Sequence, residues 1–334
     1  MPVIALDREV SGLLNRFDSP QRLVDRTSAA NVTPHGLVQL VLSGALLVEG
    51  DNGFVCGPSA VRLLGLAPRP VPERPTIVWK HSFNAIRLVA HLPINDPSQL
   101  AARLYFFNRL PVQPQGVGDD VPSTIKKALF DWSSRSGSRA GFRMRNEPHD
   151  GWWYVLREEP AKVDKPSIEA SNGTYKCYIG VRAADLLSRL QLLLDAIAAT
   201  DAPAFKIASN RYGIARADKF IVYGRTEKAL RQIVDSLHPV VSDIERTQPV
   251  PFTSAALDNG SVSWAYDPPI DRFTLSWLDR ESWRVWICNR IAVSLQLAKL
   301  DKAMEPWQFA MLRLEWDGID TLHWRLRDQA SALR

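Results

Sequence analysis

The sequence predicts an α+β fold in two parts, a small N-terminal module and a larger mixed domain. Residues 175–181 alternate polar and apolar side chains, which is typical of a β-strand. Apolar residues from Leu186 to Ile197 recur at spacings of three and four, which is typical of an amphipathic helix. Four prolines between residues 66 and 75 predict a stiff linker between the two parts.

The composition is that of a globular protein. The chain has 334 residues, 46% of them hydrophobic and 23% charged, which suffices for a core in a large domain plus a smaller one. It has no apolar run of about 18 residues and its start lacks the layout of a signal peptide, so we expect a cytoplasmic protein without a membrane partner. Three widely spaced cysteines without a CxxC pair indicate neither disulfides nor a metal site.

Residues 1–65 have the pattern of a winged helix. Two amphipathic segments precede residue 31, and Thr33 then caps a third helix over 34–43. Short strands at 46–48 and 54–56 follow, joined by an Asn-Gly hairpin signal. The third helix has no Lys or Arg, and the excess of 41 Lys+Arg over 36 Asp+Glu is small. We therefore expect this module to bind a peptide or protein partner, with a DNA-binding regulator as the alternative.

After the linker at 66–75, the larger domain is expected to span residues 76–330. Its first half is predicted to contain strands at 76–78, 85–90 and 152–156, a helix at 97–110, and loops at 111–123 and 133–141. Four arginines, Arg135, Arg139, Arg143 and Arg145, follow one another near the second loop. This run indicates a solvated basic loop, with guidance of an acidic substrate as the alternative.

The second half carries the residues that indicate chemistry. A strand from Tyr175 places Lys176 and Tyr178 on one face, about 7 Å apart. After the helix of Leu186–Ile197, the segment 204–208 returns to a strand that contains Lys206. A third strand at 219–223 and a helix over 230–244 complete the order strand, helix, strand, strand, helix.

This order resembles the phosphothreonine lyases that some pathogenic bacteria inject into host cells, and the related lyases of lanthipeptide and thioamitide biosynthesis. Those enzymes have a Lys-x-His strand, a helix, a strand with the catalytic lysine, a phosphate-binding arginine and another strand. The matching segments here are Lys176-Cys-Tyr178, Phe205-Lys206, Ala215-Arg216 and Phe220–Tyr223. Weaker matches, to the effector-type lyase domain of class V lanthipeptide clusters, are 251–253, 264–269, 276–277 and 318–320.

The resemblance implies β-elimination of phosphate from phosphoserine or phosphothreonine, within a catalytic core of about residues 174–290. Lys206 would be the base, which requires that burial or neighbouring cations lower its pKa from about 10.4. Lys176 would stabilise the enolate, and Arg216 would bind the phosphate. Further candidate phosphate ligands are Arg211, Arg280 and Arg284. The chemistry requires neither a cofactor nor a metal.

The family's general acid is often a histidine, and this chain has Tyr178 in its place. Either the phenol serves as the acid or another group does, such as His81 in Trp79-Lys80-His81. A lone histidine is more often a structural residue. For the whole set, the structural alternative is a basic strand face with Tyr178 packed and the lysines in solvent.

The expected substrate is a phosphorylated precursor peptide in lanthipeptide-like biosynthesis. The chain has no Gly-rich nucleotide loop or kinase signature, so a separate Ser/Thr kinase is an expected partner, followed by a cyclase. The N-terminal module could then bind a leader peptide by strand addition. Two alternatives remain: an effector lyase acting on host kinases, and a non-catalytic phosphopeptide or leader-binding partner of a kinase.

Overall fold

A computed structural model of the chain describes residues 4–6, 34–110, 120–136, 141–145, 147–157, 174–268 and 281–327. The structure is mixed α+β, as predicted, and divides into two compact units. The described residues of the first unit come from segments 1–72, 86–104 and 288–321, and those of the second from 73–85, 105–287 and 322–334. The break after residue 72 falls within the proline-rich segment. The division into module, linker and lyase domain stays a prediction.

The first unit contains the predicted hairpin. Helix α1 (Pro34–Leu42) leads into a three-stranded antiparallel sheet in the order β1-β2-β3, made of β1 (Ile4–Leu6), β2 (Leu46–Gly50) and β3 (Gly53–Val55). The chain reverses after α1 at Gly44, whose φ of 80° suits glycine. The helices predicted before residue 31 lie outside the described residues, so a winged helix is not shown.

The first helix after the linker corrects one prediction. Helix α3 (Ile77–Ala90) occupies the segment for which the sequence predicted strands at 76–78 and 85–90; it follows α2 (Gly57–Leu63). The β-branched run at 76–78 suggested a strand, but the Thr76 hydroxyl accepts a hydrogen bond from the Trp79 backbone N–H at 3.1 Å and so caps the helix. Val78, Ile86 and Val89 are buried at helical spacing.

A second correction concerns the two predicted loops. Helix α4 (Pro97–Tyr105) confirms the helix predicted from residue 97, although it ends earlier. Helix α5 (Val121–Ser136) then includes the end of the first predicted loop and the start of the second. The content of Gly, Pro and Ser suggested loops, whereas the buried stripe of Val121, Ile125, Leu129 and Trp132 has helical spacing.

A seven-stranded antiparallel sheet forms the centre of the second unit. Its order is β4-β5-β7-β8-β6-β10-β9. The strands are β4 (Phe142–Met144), β5 (Trp152–Arg157), β6 (Tyr175–Ile179), β7 (Ala204–Ala208), β8 (Phe220–Gly224), β9 (Ser254–Ala255) and β10 (Val262–Tyr266). The predicted strands at 152–156, 175–181, 204–208 and 219–223 are confirmed, with small differences at their ends.

The two faces of this sheet differ in chemistry. Cys177, Phe205 and Val222 belong to the apolar face, where Phe205 packs with the rings of Phe142 and Phe220. Helix α8 (Glu227–Val241) contacts β6 and β8 and packs with α6 (Ala183–Ala198). Both helices confirm their predicted apolar stripes. The alternate residues of the central strands form the opposite, polar face.

The remaining helices and strands are short or lie near the C-terminus. They are α7 (Arg211–Ile214), α9 (Trp283–Leu300), α10 (Pro306–Trp316), β11 (Ile319–Asp320) and β12 (Arg325–Leu326). In the first unit, Phe309 and Leu312 of α10 join Leu42 and Val61 in an apolar core. None of the helices in the described residues is both long and apolar enough to cross a membrane.

Candidate active site

The sheet register places three predicted site residues on one face. Lys206 of β7 lies opposite Ile221 of β8, and Tyr178 of β6 lies opposite the same Ile221 from the other side. Lys176 is two residues from Tyr178 along β6 and pairs with Tyr223. Because directly paired residues share a face, all three side chains belong to the polar face.

Lys206 lies against aromatic rings rather than in solvent. Its Nζ is 4.3 Å from the centroid of the Trp152 ring and 5.6 Å from that of Tyr154. Within the described part of the chain, no hydrogen bond or ion pair holds this amine. Burial, then the charges of Lys176 and Arg216, lower the pKa of Lys206 to about 8, against the opposing pull of two carboxylates.

The Trp152 ring face attracts an ammonium group and so does not itself favour the free amine. The amine is favoured because the ring excludes water and because two cations lie nearby. A pKa of about 8 leaves a useful fraction of Lys206 neutral near pH 7.5. Lys206 can therefore act as a base without a second group to deprotonate it.

Lys176 is held by a carboxylate that sequence analysis did not assign. Its Nζ forms an ion pair with Oδ1 of Asp267 at 2.6 Å, and the backbone N–H of Trp283 donates to the same oxygen at 3.3 Å. The side chain of Lys176 keeps 14% of its surface exposed. This amine is fixed in position and still accessible, as a cation that stabilises a developing oxyanion should be.

Tyr178 is buried and stays protonated at neutral pH. Its exposed fraction is 2%, and burial raises its pKa well above the usual value of 10.0. A phenol with a raised pKa keeps its proton and can donate a hydrogen bond at neutral pH, but it gives up that proton reluctantly. The alternative acid, His81, lies on α3, where burial lowers its pKa and so reduces the imidazolium form. Among the described residues, no hydrogen bond or ion pair joins His81 to Lys206 or Tyr178.

Arg216 belongs to a buried network centred on Asp218. Its Nε and Nη2 donate to the two carboxylate oxygens of Asp218 at 2.8 and 2.7 Å. Arg284 donates from Nη1 to Oδ2 of Asp218 at 2.6 Å, and the Tyr105 hydroxyl donates to the same oxygen at 3.2 Å. The two guanidinium groups hold the pKa of Asp218 well below its usual range, against the effect of burial.

The geometry separates the predicted phosphate ligands. Arg216 keeps Nη1 unbonded to the described residues, and its guanidinium carbon lies 5.3 Å from the Trp152 ring, on which Lys206 also rests. Arg284 is 2% exposed, and its other nitrogens donate to the carbonyls of Pro251 and Tyr105. Arg284 is better placed to fix Asp218 than to bind phosphate.

No contact of the described residues joins a third candidate, Arg211, to Lys206 or Arg216. Arg211 is exposed at the start of α7, where its Nη2 donates to the Tyr212 hydroxyl at 3.2 Å. Arg280 lies outside the described residues. Their phosphate-binding roles stay predictions.

A second buried lysine shows why a lowered pKa alone does not identify a base. Burial lowers the pKa of Lys219 to about 7. Its amine, however, donates to the Val181 carbonyl and to Oε1 of Gln248, both at 2.7 Å, and the residue is fully buried. Lys219 holds loops together, whereas Lys206 has no such partners.

Four site residues were not assigned from the sequence: Tyr105, Trp152, Asp218 and Asp267. Trp152 was predicted only as part of a strand, and its place on the face of Lys206 follows from the register of β5 against β7, which strand phase alone does not give. Asp218 is two residues beyond Arg216, and Asp267 is within the Asp-Pro-Pro segment of the family resemblance. In the described residues, no group of three metal-ligating side chains was found.

Comparison with known proteins gives distant structural similarities. No protein-family model matches the chain, and no curated protein matches it significantly. An effector protein from Pseudomonas syringae pv. tomato strain DC3000 is 12% identical, covers 75% of this chain and 98% of its own, and has a TM-score of 0.46. The type III effector and phosphothreonine lyase OspF from Shigella flexneri is 18% identical over 55% of this chain and 89% of its own, with a TM-score of 0.32.

A further solved phosphothreonine lyase is 16% identical over 70% of this chain and 98% of its own, also with a TM-score of 0.32. At these scores, the likeness to either lyase assigns no activity to this chain.

Proposed function

We propose that this protein eliminates phosphate from phosphoserine or phosphothreonine in a peptide. The observation that carries the proposal is Lys206, an amine with a pKa of about 8 that lies on Trp152 near two further cations, Lys176 and Arg216. Tyr178 completes the set on the same face. A base, an oxyanion ligand and a phosphate ligand are the groups that this elimination needs.

In the proposed step, neutral Lys206 takes the proton from the substrate Cα. The electrons of that C–H bond form the Cα=Cβ double bond, the Cβ–O bond breaks, and phosphate leaves with its electron pair. Lys176 stabilises the charge that builds on the neighbouring carbonyl oxygen. Arg216 binds the phosphate through Nη1, and Tyr178 donates a hydrogen bond to the leaving oxygen. The products are a dehydroamino acid and inorganic phosphate.

Within this function, we propose a precursor peptide of lanthipeptide-like biosynthesis as the substrate. A separate kinase would supply the phosphate group, and a cyclase would use the dehydroamino acid. The support is the set of weaker matches to the lyase domain of class V lanthipeptide clusters, at 251–253, 264–269, 276–277 and 318–320 of the sequence. An effector lyase acting on host kinases would use the same site on a folded protein, and a comparison of phosphopeptides with phosphorylated kinases as substrates separates the two.

Mass spectrometry of a phosphothreonine peptide incubated with the protein tests the reaction. The expected result is loss of phosphoric acid and a product that adds an external thiol, as a dehydroamino acid does. Loss of phosphate with formation of threonine would indicate hydrolysis. Either that result or an unchanged peptide would contradict the proposal.

The pH profile of the reaction should follow the amine of Lys206. Because the neutral amine is the active form, kcat/KM is expected to rise with pH and to level off above about pH 8. Lys176→Met removes one of the charges that lower this pKa, so the rise should move to higher pH. Stopped assays of phosphate release from pH 6 to 10 measure both profiles. If kcat/KM rises at the same pH in the variant as in the wild type, the charge of Lys176 does not lower the pKa of Lys206.

Removal of the Tyr178 hydroxyl should slow the reaction but leave peptide binding intact. For Tyr178→Phe we expect kcat to fall about a hundredfold, the lower range for a general acid. A leaving group of lower pKa than phosphate depends less on a hydrogen bond from Tyr178. On a substrate with such a leaving group, the variant should therefore lose less activity. Steady-state rates on both substrates measure this, and equal losses would assign Tyr178 a packing role.

A non-catalytic phosphopeptide-binding partner is the second candidate. It is favoured by the raised pKa of Tyr178, which makes the phenol a poor proton donor. Phosphopeptide binding by the wild-type protein with no dehydro product under any condition would support it.

A further inference from the structure

A basic groove lies between α5 and the edge strand β4 of the second unit. It has a volume of about 750 Å³ and is lined by four cationic residues, Lys126, Lys127, Arg143 and Arg145, with no acidic residue among its described lining. All four are exposed, so the groove opens to solvent. An open groove suits an extended chain better than an enclosed small molecule.

Strand β4 ends the sheet within the described residues. The Arg145 N–H donates to the Tyr154 carbonyl at 3.0 Å, which makes Arg145 a hydrogen-bonded partner of β5. In an antiparallel ladder the next residue directs its backbone groups to the other side. Met144 therefore directs its N–H and C=O away from β5, where another strand could pair with them.

The helical wall of the groove offers both charge and apolar surface. Lys126, Lys127 and Phe130 recur on one side of α5, and Phe130 is 64% exposed. A helix beside a sheet edge provides main-chain pairing on one side and side-chain contacts on the other, an arrangement used to bind extended peptides.

A row of paired residues connects this groove to the candidate site. Arg145 pairs with Tyr154, and Tyr154 pairs with Lys206. The guanidinium carbon of Arg145 lies 5.4 Å from the centroid of the Tyr154 ring, and the Lys206 amine lies 5.6 Å from the same centroid. Neighbouring strands are about 4.8 Å apart, so the backbones of Arg145 and Lys206 are separated by roughly 10 Å.

We propose that this groove binds an acidic, extended segment of the substrate peptide as an added strand beside β4. Carboxylates two residues apart on that strand would face Arg143 and Arg145, and Lys127 would add to the attraction. An apolar side chain would contact Phe130. The assignment to the substrate rests on the proposed function, because a phosphorylated peptide would have a second point of attachment at the candidate site, where Arg216 would bind its phosphate.

The probe is a fluorescein-labelled peptide with glutamates at alternate positions and a central leucine, without serine or threonine. Its binding to the full-length protein is followed by fluorescence anisotropy at two salt concentrations. Lys127→Glu is expected to weaken binding about tenfold, while Lys228→Glu, the same charge change on the exposed side of α8, leaves it nearly unchanged. Higher salt should weaken binding to the wild-type protein.

Strand pairing is tested with the same peptide N-methylated at alternate residues, which removes the N–H groups that would bond to β4. The peptide methylated at the residues whose N–H groups point towards β4 should lose binding. The peptide methylated at the intervening residues, whose N–H groups point away from β4, should keep it. Equal weakening by Lys127→Glu and Lys228→Glu, or indifference to both methylated series, would overturn the proposal. So would binding to anionic phospholipid vesicles without binding to the peptide.

Turnover separates this proposal from the proposed function. With a phosphopeptide that carries the acidic segment, Lys127→Glu should raise KM about tenfold and leave kcat unchanged, and a short phosphopeptide without the segment should be unaffected. If no phosphopeptide is turned over but the acidic peptide binds as described, the proposed reaction is wrong and the proposed role of the groove is supported. If the short peptide is turned over and the acidic peptide does not bind, the proposed role of the groove is wrong.

Discussion

Replacing Lys206 with alanine is expected to lower kcat/KM for phosphate elimination about a thousandfold or more. The amine is the group proposed to take the Cα proton, and a positioned base contributes on the order of 10² to 10⁴ in rate. Lys206→Arg gives the sharper test, because a guanidinium keeps the positive charge and most of the length but does not deprotonate in this pH range. Both variants should therefore show a loss of this size.

Two measurements distinguish loss of the base from loss of the fold. Lys206→Arg should bind the phosphopeptide with an affinity close to that of the wild type, since the cation remains against Trp152. Lys228→Ala, a control on α8, should keep full activity. Substantial turnover by Lys206→Arg would show that another group takes the proton.

Replacing Asp218 with asparagine is expected to lower the free energy of unfolding by about 3–5 kcal/mol, the usual result of removing one partner from a buried ion pair. The carboxylate has only 4% of its side-chain surface exposed and binds both Arg216 and Arg284. Asparagine keeps the size but removes the charge, so the buried Arg284 loses the carboxylate to which its Nη1 donates. Urea unfolding followed by circular dichroism measures the change, with an unaltered m-value as the check on two-state behaviour.

The matched control is Asp243→Asn, which removes a carboxylate from an exposed pair with Arg189. A surface pair adds little to stability, so this variant should unfold nearly as the wild type does. If Asp218→Asn costs no more than Asp243→Asn, the network around Asp218 is not what holds these two arginines in place.

The same network gives stability a dependence on pH. The pKa of Asp218 is lower in the folded protein than the value of about 3.9 expected when it is unfolded. Its contribution is therefore complete above about pH 4 and is lost as pH falls through the folded value. In Asp218→Asn this part of the acid dependence should disappear.

The arrangement of Lys206, the proposed base, and its neighbours could be predicted in part because it depends on strand phase. Alternation from Tyr175 placed Lys176 and Tyr178 together, and the register of β7 against β8 brings Lys206 to the same face. These relations follow from a period of two within short segments. No such local rule links Lys176 to Asp267, which is 91 residues away.

The strands predicted at 76–78 and 85–90 were wrong for a related reason. Local composition there favours β-structure, whereas the burial of Val78, Ile86 and Val89 against the rest of the protein stabilises a helix. Likewise, Arg284 and Asp218 are 66 residues apart, and no local pattern in the sequence indicates that they pair. The sequence therefore predicted Arg284 as a phosphate ligand, whereas in the structure its nitrogens donate to Asp218 and to two backbone carbonyls.

The aromatic cluster on the apolar face of the sheet fixes the strand register that positions Lys206, the proposed base. Phe205 is fully buried among Trp132, Phe142 and Phe220, and Lys206 is the next residue along the same strand. A slip of β7 by one residue would place Phe205 or Ile207 among the cations and turn the amine into the apolar core. The packing of Phe205 in the apolar core therefore also places Lys206 on the polar face, beside Trp152 and the proposed substrate-binding cations.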